Sequence, residues 1–350
     1  MIFDHKLRLK RLRVELKKIG LGSLLVTNET NVRYLSGFKG GDSILVITPD
    51  SQFFLTDSRY TEEAKDSVGG FNIVEVATST YDCLSEIIKG NRIKRIGFEA
   101  LNLPYEVASR LASYVRPTKF VSTKNIIESL RAVKDTKEIE AIKRSVSVAK
   151  AVLKKVTANI RPGVSERYIS DSIECEFIKR GARIAFETIA ACGRNCSKPH
   201  AHATEDKVAK NDVVMLDMGC KLNLYNSDIT RMVFVGKTKD KIKEIYGIVS
   251  AAQSAAIEKI KPGVKISEID IAGRGYITRK GYGKFFGHSI GHGIGMDVHE
   301  EPSISKRNDG ILKTGMVFTV EPAIYLPKIG GVRIEDMVLV TDKGCEILTR

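Results

Sequence analysis

Gly287-His288-Ser289-Ile290-Gly291-His292-Gly293-Ile294-Gly295-Met296-Asp297-Val298-His299-Glu300 is the stretch on which the reading of this chain turns. It holds three of the six histidines, interleaved with four glycines and a few aliphatic residues. That composition suits neither a plain core strand nor a solvated loop. Glycine lets backbone approach a ligand or a neighbouring strand closely. Imidazole supplies neutral metal ligands and proton carriers near pH 7. The stretch reads as one wall of an active site, and the other walls are to be sought on either side of it.

Acidic residues within apolar runs supply them. Upstream, residues 212–219 and 224–236 read as an antiparallel hairpin whose two strands carry Asp217 and Asp228. Downstream, Glu321 follows Met316-Val317-Phe318-Thr319-Val320, and Glu335 lies in Val332-Arg333-Ile334-Glu335-Asp336-Met337-Val338. A carboxylate set among core-facing residues is costly unless it is paired or bound to a cation. One such acid is ordinarily salt-bridged. Four of them, with a Gly/His run in the same half of the chain, suggest a dinuclear metal centre. Carboxylate oxygens favour Mn or another borderline divalent ion over a thiolate-type zinc site. Two bridged ions can hold a hydroxide and clamp a tetrahedral intermediate.

The acids and the Gly/His run lie in a duplicated region. Arg161-Pro162-Gly163-Val164 recurs as Lys261-Pro262-Gly263-Val264, and Phe177-Ile178-Lys179-Arg180-Gly181 has a counterpart in Tyr276-Ile277-Thr278-Arg279-Lys280-Gly281. Each half reads helix, Pro-Gly turn, helix, glycine, strands. Such a duplication predicts a pseudo-two-fold unit with a site drawing on both halves. Its first helix starts at a capping box, Asp135 with Glu138, and continues with an apolar face of Ile139, Ile142, Val146, Ala149 and Val152 or Leu153. The domain boundary is expected just before it, around residues 124–133.

Residues 1–125 read as a separate α/β domain. A helix with Leu9, Leu12, Leu16 and Ile19 on one face stops at Gly20. Strands are expected at 23–27, 43–48, 53–56, 72–76 and 95–98, and helices at 31–35, 81–89 and 104–113.

With 350 residues, 43% hydrophobic and 28% charged, the chain has ordinary globular composition, and no run is long enough for a membrane span. Residues 1–18 are basic and lack an apolar h-region, so no secretory signal is expected and the cytoplasm is the expected compartment. The net charge of +14 is spread along the chain. It reads as a lysine-rich solvated surface rather than a nucleic-acid footprint. Cys192 and Cys196 could form half of a zinc site, but no second pair completes it, and the six cysteines are read as free thiols.

Together these segments resemble the proline-peptidase branch of the pita-bread metallopeptidases, Xaa-Pro aminopeptidase and Xaa-Pro dipeptidase (prolidase). His288–Glu300 follows that family's H-[S/G]-x-G-H-x-[I/L]-G-x-x-[V/I]-H-[D/E] pattern. Asp217-Met218-Gly219 with Ser227-Asp228-Ile229-Thr230-Arg231 resembles its Asp pair. Glu321-Pro322 and Gly331-Val332-Arg333-Ile334-Glu335-Asp336 resemble its Glu pair, and Thr56-Asp57-Ser58-Arg59-Tyr60 a segment of its N-terminal domain. The resemblance implies an α/β (α+β) fold of two domains: a creatinase-like N-terminal domain over 1–125 and a pseudo-two-fold pita-bread catalytic domain over 126–350. It implies two divalent ions, Mn by preference with Co or Zn as alternatives, held by Asp217, Asp228, His292, Glu321 and Glu335. Asp228 and Glu335 would bridge the ions, and Glu321 would take the proton from the attacking water. His200, favoured over His202 by its spacing from Asp217, matches a histidine near the scissile bond. His299 matches one that stabilises the tetrahedral intermediate and the leaving nitrogen. His288 and Arg333 match residues on the proline side, and Tyr225 and Tyr325 fall at positions near the site.

The resemblance further implies hydrolysis of Xaa-Pro bonds in proline-containing peptides by a homodimer, with neither nucleic acid nor membrane as partner. The Thr-Asp-Ser-Arg-Tyr segment favours the aminopeptidase over the dipeptidase. Methionine aminopeptidase shares the five ligands but typically lacks the N-terminal domain and the paired His288/His299 signature. Creatinase shares the fold and not the ligands. A non-catalytic binding protein on this fold would have lost ligands that this chain retains. Two departures stand out: Leu224 occupies a hairpin-turn position where the family usually has glycine, and Ala323 replaces a glycine after Glu-Pro.

Overall fold

A computed structural model describes residues 3–350; Met1 and Ile2, the start of the basic N-terminal stretch, lie outside it. The chain divides into two compact units, Met1–Leu130 and Arg131–Arg350. Among the described residues, no helix is long and apolar enough to cross a membrane.

The first unit alternates helices and strands: α1 (His5–Lys18), β1 (Ser23–Val26), α2 (Glu29–Ser36), β2 (Ser43–Ile47), β3 (Gln52–Thr56), α3 (Thr61–Ser67), β4 (Asn72–Glu75), α4 (Thr80–Gly90), β5 (Arg95–Glu99), α5 (Tyr105–Tyr114) and β6 (Lys119–Thr123). Helix α6 (Ile126–Ala132) runs through the division. The strands form one mixed sheet in the order β4-β3-β2-β1-β5-β6. Leu25, Val46, Leu55 and Ile96 on one face pack with Leu84 and Ile88 of α4 and Leu111 of α5. The amphipathic α1 buries Leu9, Leu12 and Leu16 as its spacing predicts. Ile19 departs from that reading: the helix has already ended at Lys18, and the side chain is 52% exposed at the C-cap. Helix α3 and strand β6 carry no strong period in the sequence and are seen only in the structure.

The second unit repeats one plan. Its first half holds α7 (Thr136–Thr157), α8 (Glu166–Lys179), β7 (Arg183–Ile184), β8 (Ile189–Cys192), β9 (Asp212–Met218), β10 (Cys220–Leu222), β11 (Tyr225–Asn226) and β12 (Ile229–Val235). The second holds α9 (Asp240–Ile257), α10 (Ile266–Arg279), β13 (Gly291–Gly293), β14 (Glu300–Ile304), β15 (Val317–Val320), β16 (Ala323–Leu326), β17 (Gly330–Arg333), β18 (Asp336–Val340) and β19 (Cys345–Ile347). The reciprocal Asp135–Glu138 capping box starts α7. The repeat extends to hydrogen bonds. Gly163 N–H donates to Val208 O as Gly263 N–H donates to Leu312 O, and Val208 N–H returns to Val164 O as Leu312 N–H returns to Val264 O. Both glycines have left-handed φ, +92° and +86°.

Each half ends in a long hairpin whose tip leaves the main sheet. In the first half, β9 and β12 pair in the sheet β12-β9-β8, while β10 and β11 join β7 in a separate ribbon. In the second, β15 and β18 lie within β14-β13-β15-β18-β19, while β16 and β17 form their own ribbon. This refines the simple hairpin expected for residues 212–236. It also moves one acid: Asp228 precedes β12, at the point where the chain returns from ribbon to sheet.

Between Leu222 and Tyr225, which pair across β10 and β11, the chain turns on Asn223 (φ +50°) and Leu224 (φ +75°). Two positive φ values in a two-residue connection mark a type I′ turn. Leucine tolerates this poorly, because its Cβ crowds the carbonyl oxygen that follows. Leu224→Gly is expected to stabilise the protein by about 0.5–1 kcal/mol, the relief being partly offset by glycine's greater unfolded freedom. A higher urea midpoint at unchanged slope checks this; a lower midpoint contradicts it.

Candidate metal centre and active site

Asp217, Asp228, His288, His292, Glu321, Arg333 and Glu335 line one cavity of about 490 Å³, with His200 and His299 also on its walls. The carboxylates sit where strands of the two hairpins leave or rejoin their sheets. Asp217 is near the end of β9, paired in register with Thr230. Glu321 directly follows β15, and Glu335 lies between β17 and β18. Sheet-to-ribbon crossovers thus turn these acids toward one space.

The glycine-rich stretch brings His292 into that space. It lies on β13, where the pairing with β14 shifts register between His292 and Gly293. A bulge of this kind re-aims a side chain. A Cβ on Gly291 would sit 1.9 Å from Thr319 O, so only glycine lets β13 pass there. His292 Nδ1 is 3.1 Å from Gly293 O. That contact assigns the proton to Nδ1 and leaves Nε2 as the free donor atom. Nε2 lies 3.6 Å from Asp228 Oδ2 and 3.4 Å from Glu321 Oε1. Thr319 Oγ1 accepts from His292 N–H at 3.1 Å and donates to Glu321 Oε1 at 3.2 Å, fixing the two relative to each other.

The donor set fits a divalent cation. Potential ligand atoms of Asp228, His292 and Glu335 all lie within 4.8 Å of one another. Asp217 Oδ1 and Asp228 Oδ1 are buried without a hydrogen-bond partner among the described residues. A buried carboxylate oxygen in that state is costly and is what a cation would satisfy. Burial, reinforced by the neighbouring acids, pushes the carboxyls of Asp228 and Glu335 well above the usual carboxylate range. Burial also raises Glu321, against the opposing influence of His288 and Arg333.

Arg333 organises the far side. It is 3% exposed, with Nε to Thr230 Oγ1 at 3.2 Å, Nη1 to Tyr325 OH at 2.5 Å and to Pro199 O at 3.1 Å, and Nη2 paired with Asp217. Thr230 in turn donates to Glu335 Oε2 at 2.7 Å. Tyr325, itself behind the cavity wall, lies 3.2 Å from His288 Nε2. His288 Nδ1 is 2.8 Å from Ser289 O, so its Nε2 accepts from the tyrosine. Burial lowers the pKa of His288, His292 and His299, which favours the neutral imidazoles this pattern requires. The His292 and His299 rings meet edge to face at 4.3 Å between centroids.

Two of the expected substrate-side residues do not line the cavity: Tyr325, which stands behind its wall against His288 and Arg333, and Tyr225. Tyr225 is buried, and its hydroxyl donates to Glu138 Oε1 at 2.9 Å in the capping box of α7. Its motif position is on ribbon strand β11, whose first residue points back to that helix. His202 lines the cavity but is largely exposed, with Nδ1 3.0 Å from both oxygens of Glu187. Thr230 and Thr319 do not stand out in the sequence. Thr230's only signal is its place in the Ser227–Arg231 motif two residues after Asp228, and Thr319's its position two residues before Glu321.

The segment bearing His299 is held by a buried ion cluster. Glu300 pairs with Arg131 at 2.6 Å and Lys134 at 2.8 Å, all three side chains being almost fully enclosed, and Arg131 also meets Asp297 at 2.6 Å. Asn226 Nδ2 ties the same segment to β11 through Gly295 O and Met296 O. Burial pushes the Glu300 carboxyl up, but Lys134 and Arg131 more than offset it, and the net pKa is lowered. A lowered folded pKa adds stability above the unfolded value, about 4.3, that is lost as pH falls through the folded value. Glu300→Gln should therefore cost about 3 kcal/mol at pH 7, where buried Lys134 loses its carboxylate partner and Arg131 keeps only Asp297, and the gap to wild type should narrow below about pH 4. Urea midpoints at the two pH values test this; a gap that does not change with pH contradicts it.

Residues 140–342 match metallopeptidase family M24, and residues 8–133 match the creatinase/prolidase N-terminal domain. The chain belongs to metallopeptidase family M24, with a creatinase-type N-terminal domain ahead of a pita-bread domain, and it is a metallopeptidase. It is 35% identical over 98% of its length to the Xaa-Pro dipeptidase of Pyrococcus horikoshii, covering 97% of that protein. A solved Xaa-Pro dipeptidase from Bacillus anthracis is 39% identical, with a TM-score of 0.96 over 99% of this chain and 98% of that one. The X-Pro aminopeptidase structure from Thermotoga maritima is 38% identical, with a TM-score of 0.88 over 96% of this chain and 97% of that one. The family implies divalent metal ions.

Proposed function

We propose that this metallopeptidase hydrolyses the Xaa-Pro bond at the N-terminus of short peptides. The observation that carries the proposal is the single cavity holding Asp217, Asp228, His292, Glu321 and Glu335 beside His200, His288, His299 and Arg333. Asp217, Asp228, His292, Glu321 and Glu335 would hold two divalent ions, and the oxygen-rich set favours Mn, with Co and Zn as alternatives. When bound, such ions polarise a carbonyl and acidify a water.

This chain's residues account for the remaining steps. An Xaa-Pro bond has no N–H for a general peptidase to grip, and its φ is fixed. Glu321 Oε takes the proton of the attacking water, and its burial suits it to hold that proton until it passes to the departing ring nitrogen. His299, neutral and next to His292, donates to the developing oxyanion. His200 stands near the scissile bond. His288, set by the Arg333–Tyr325 chain, lines the proline side.

Supported by the Thr56–Tyr60 segment, the first reading is an Xaa-Pro aminopeptidase. The names of the Pyrococcus and Bacillus anthracis relatives favour a second, an Xaa-Pro dipeptidase restricted to dipeptides. A homodimer in the cytoplasm acting on proline-containing peptides completes the proposal, on family resemblance. The test is hydrolysis of Xaa-Pro and Xaa-Pro-Yaa by metal-stripped protein given Mn, with Glu321→Gln as control. Cleavage of both lengths, lost in the control, supports the aminopeptidase; cleavage of the dipeptide alone supports the dipeptidase. Absence of cleavage of either by folded protein given Mn, Co or Zn overturns both.

A further inference from the structure

We infer that the second helix of each half positions one histidine of the cavity through a buried carboxylate: Glu166 on α8 holds the loop bearing His200, and Asp270 on α10, through Arg274, holds the segment bearing His288. The inference rests on the reading of the cavity as a peptidase site.

Glu166 is fully buried at the first turn of α8. Its Oε1 accepts from Cys192 N–H at 2.6 Å and Asn195 Nδ2 at 2.9 Å. Its Oε2 accepts from Thr204 N–H at 3.0 Å and Thr204 Oγ1 at 2.7 Å. Cys192 and Thr204 are the two feet of the loop that carries Pro199-His200. Arg167 N–H adds a bond to Thr204 O at 2.9 Å, and Asn195 Nδ2 a second to Asp206 Oδ2 at 2.9 Å. One desolvated carboxylate therefore gathers both ends of the loop. The Arg333 bond to Pro199 O at 3.1 Å fixes its crown from the opposite side.

In the second half the acid acts through a cation. Asp270 is fully buried within α10, too far from the helix start to cap it. Arg274 grips it in bidentate fashion, Nε to Oδ2 at 2.9 Å and Nη2 to Oδ1 at 2.7 Å. The guanidinium then reaches Phe286 O at 3.0 Å and His288 O at 2.6 Å and lies 4.2 Å from the Phe286 ring centroid. Asp270 Oδ2 also accepts from Lys306 N–H at 3.1 Å. A lysine cannot reproduce this planar fork. Neither acid reaches the cavity lining, so each acts on the chemistry only by fixing where a histidine stands.

Double-mutant cycles in the full-length, metal-loaded enzyme separate positioning from plain stability. Glu166→Gln should lower kcat/KM about 10–100-fold in the wild-type background, add little in His200→Ala, and act in full in His288→Ala. Arg274→Lys should show the reverse pattern. Equal proportional losses in all backgrounds, tracking the fall in Tm, overturn the inference. Amide hydrogen exchange of the metal-free protein gives a readout independent of activity. Exchange should rise over residues 192–204 in Glu166→Gln and over 286–288 in Arg274→Lys, and unchanged exchange there overturns it. Should Glu166→Gln not fold, Glu166→Asp, which keeps the charge and shortens the reach, replaces it. Should the wild type cleave no peptide, the peptidase reading fails while the exchange data still decide whether the clamps exist.

Discussion

Asp228→Asn is expected to abolish peptide hydrolysis, by about a thousandfold or more, while raising the melting temperature of the metal-free protein. The two effects have one cause. Burial comes first among the influences on Asp228, followed by Glu335, Asp217 and Glu321, and all of them raise its pKa. A raised folded pKa means that the folded state holds the proton more tightly than the unfolded chain. Its stabilising contribution is complete below the unfolded value, about 3.9, and is lost as pH rises through the folded value. At neutral pH the metal-free site thus carries the cost of crowding acids together. An amide at position 228 removes one of them at nearly constant shape, which should add about 2 kcal/mol, or roughly 4–8 °C for a unit of this size. The gain should shrink toward pH 4, where wild type is itself protonated. The same change removes a donor from the cluster with His292 and Glu335, so metal content after dialysis should fall together with kcat/KM. Melting curves of stripped protein at pH 5 and pH 8, with metal analysis, are the measurements. A variant that melts lower without metal at both pH values contradicts the account.

Arg333→Lys is expected to lower kcat/KM about a hundredfold and to destabilise the protein by about 3 kcal/mol, although charge is conserved. Arg333 uses all three guanidinium nitrogens, on Thr230, Tyr325, Pro199 and Asp217. An ammonium is one point on a flexible stem and cannot reach all of these acceptors. It would leave a buried oxygen or the Tyr325 hydroxyl unpaired, at about 1–3 kcal/mol for each group. Tyr325 would then no longer orient His288, and the Pro199-His200 crown would lose its anchor. Steady-state kinetics with Tm check this. A loss confined to KM, with kcat and Tm intact, would show that Arg333 serves binding alone.

Much of this fold and site is legible in the chain itself. The capping box at Asp135 fixes the start of α7 because its two hydrogen bonds are local. The acids at 217, 228, 321 and 335 interrupt apolar runs, and all but Glu321 are buried by overall exposure, with Glu321 close behind. The duplicated Pro-Gly turns are read directly and recur in the structure with matching hydrogen bonds. The features that stay hidden depend on long-range partners. Asp228 looks like a strand residue because nothing local says that β11 and β12 belong to different sheets. Tyr225 sits three residues before Asp228, which lines the cavity, but its own partner, Glu138, lies far away in sequence. Ile19 satisfies the helical spacing one residue beyond the last turn. Leu224 is the reverse case: a residue ill-suited to its turn is forced into positive φ by the pairing on both sides.

The placement of the acids on two separate hairpins bears on how the chain reaches its native state. Asp217 and Asp228 come from one half of the second unit, Glu321 and Glu335 from the other, and neither half has the full set. A chain with only one half folded presents a partial set, Asp217 and Asp228 from the first half or His292, Glu321 and Glu335 from the second, and is a weaker trap for ions. On the proposed two-ion reading the complete ligand set exists only after the halves dock, and that docking brings the negative charges together. Cation uptake would then act as a latch on the last step of assembly, stabilising the finished fold by RT ln(1 + [M]/Kd) and partly built chains by less. Metal depletion during synthesis should then leave the seam between the halves, rather than either half, as the place where the protein opens first.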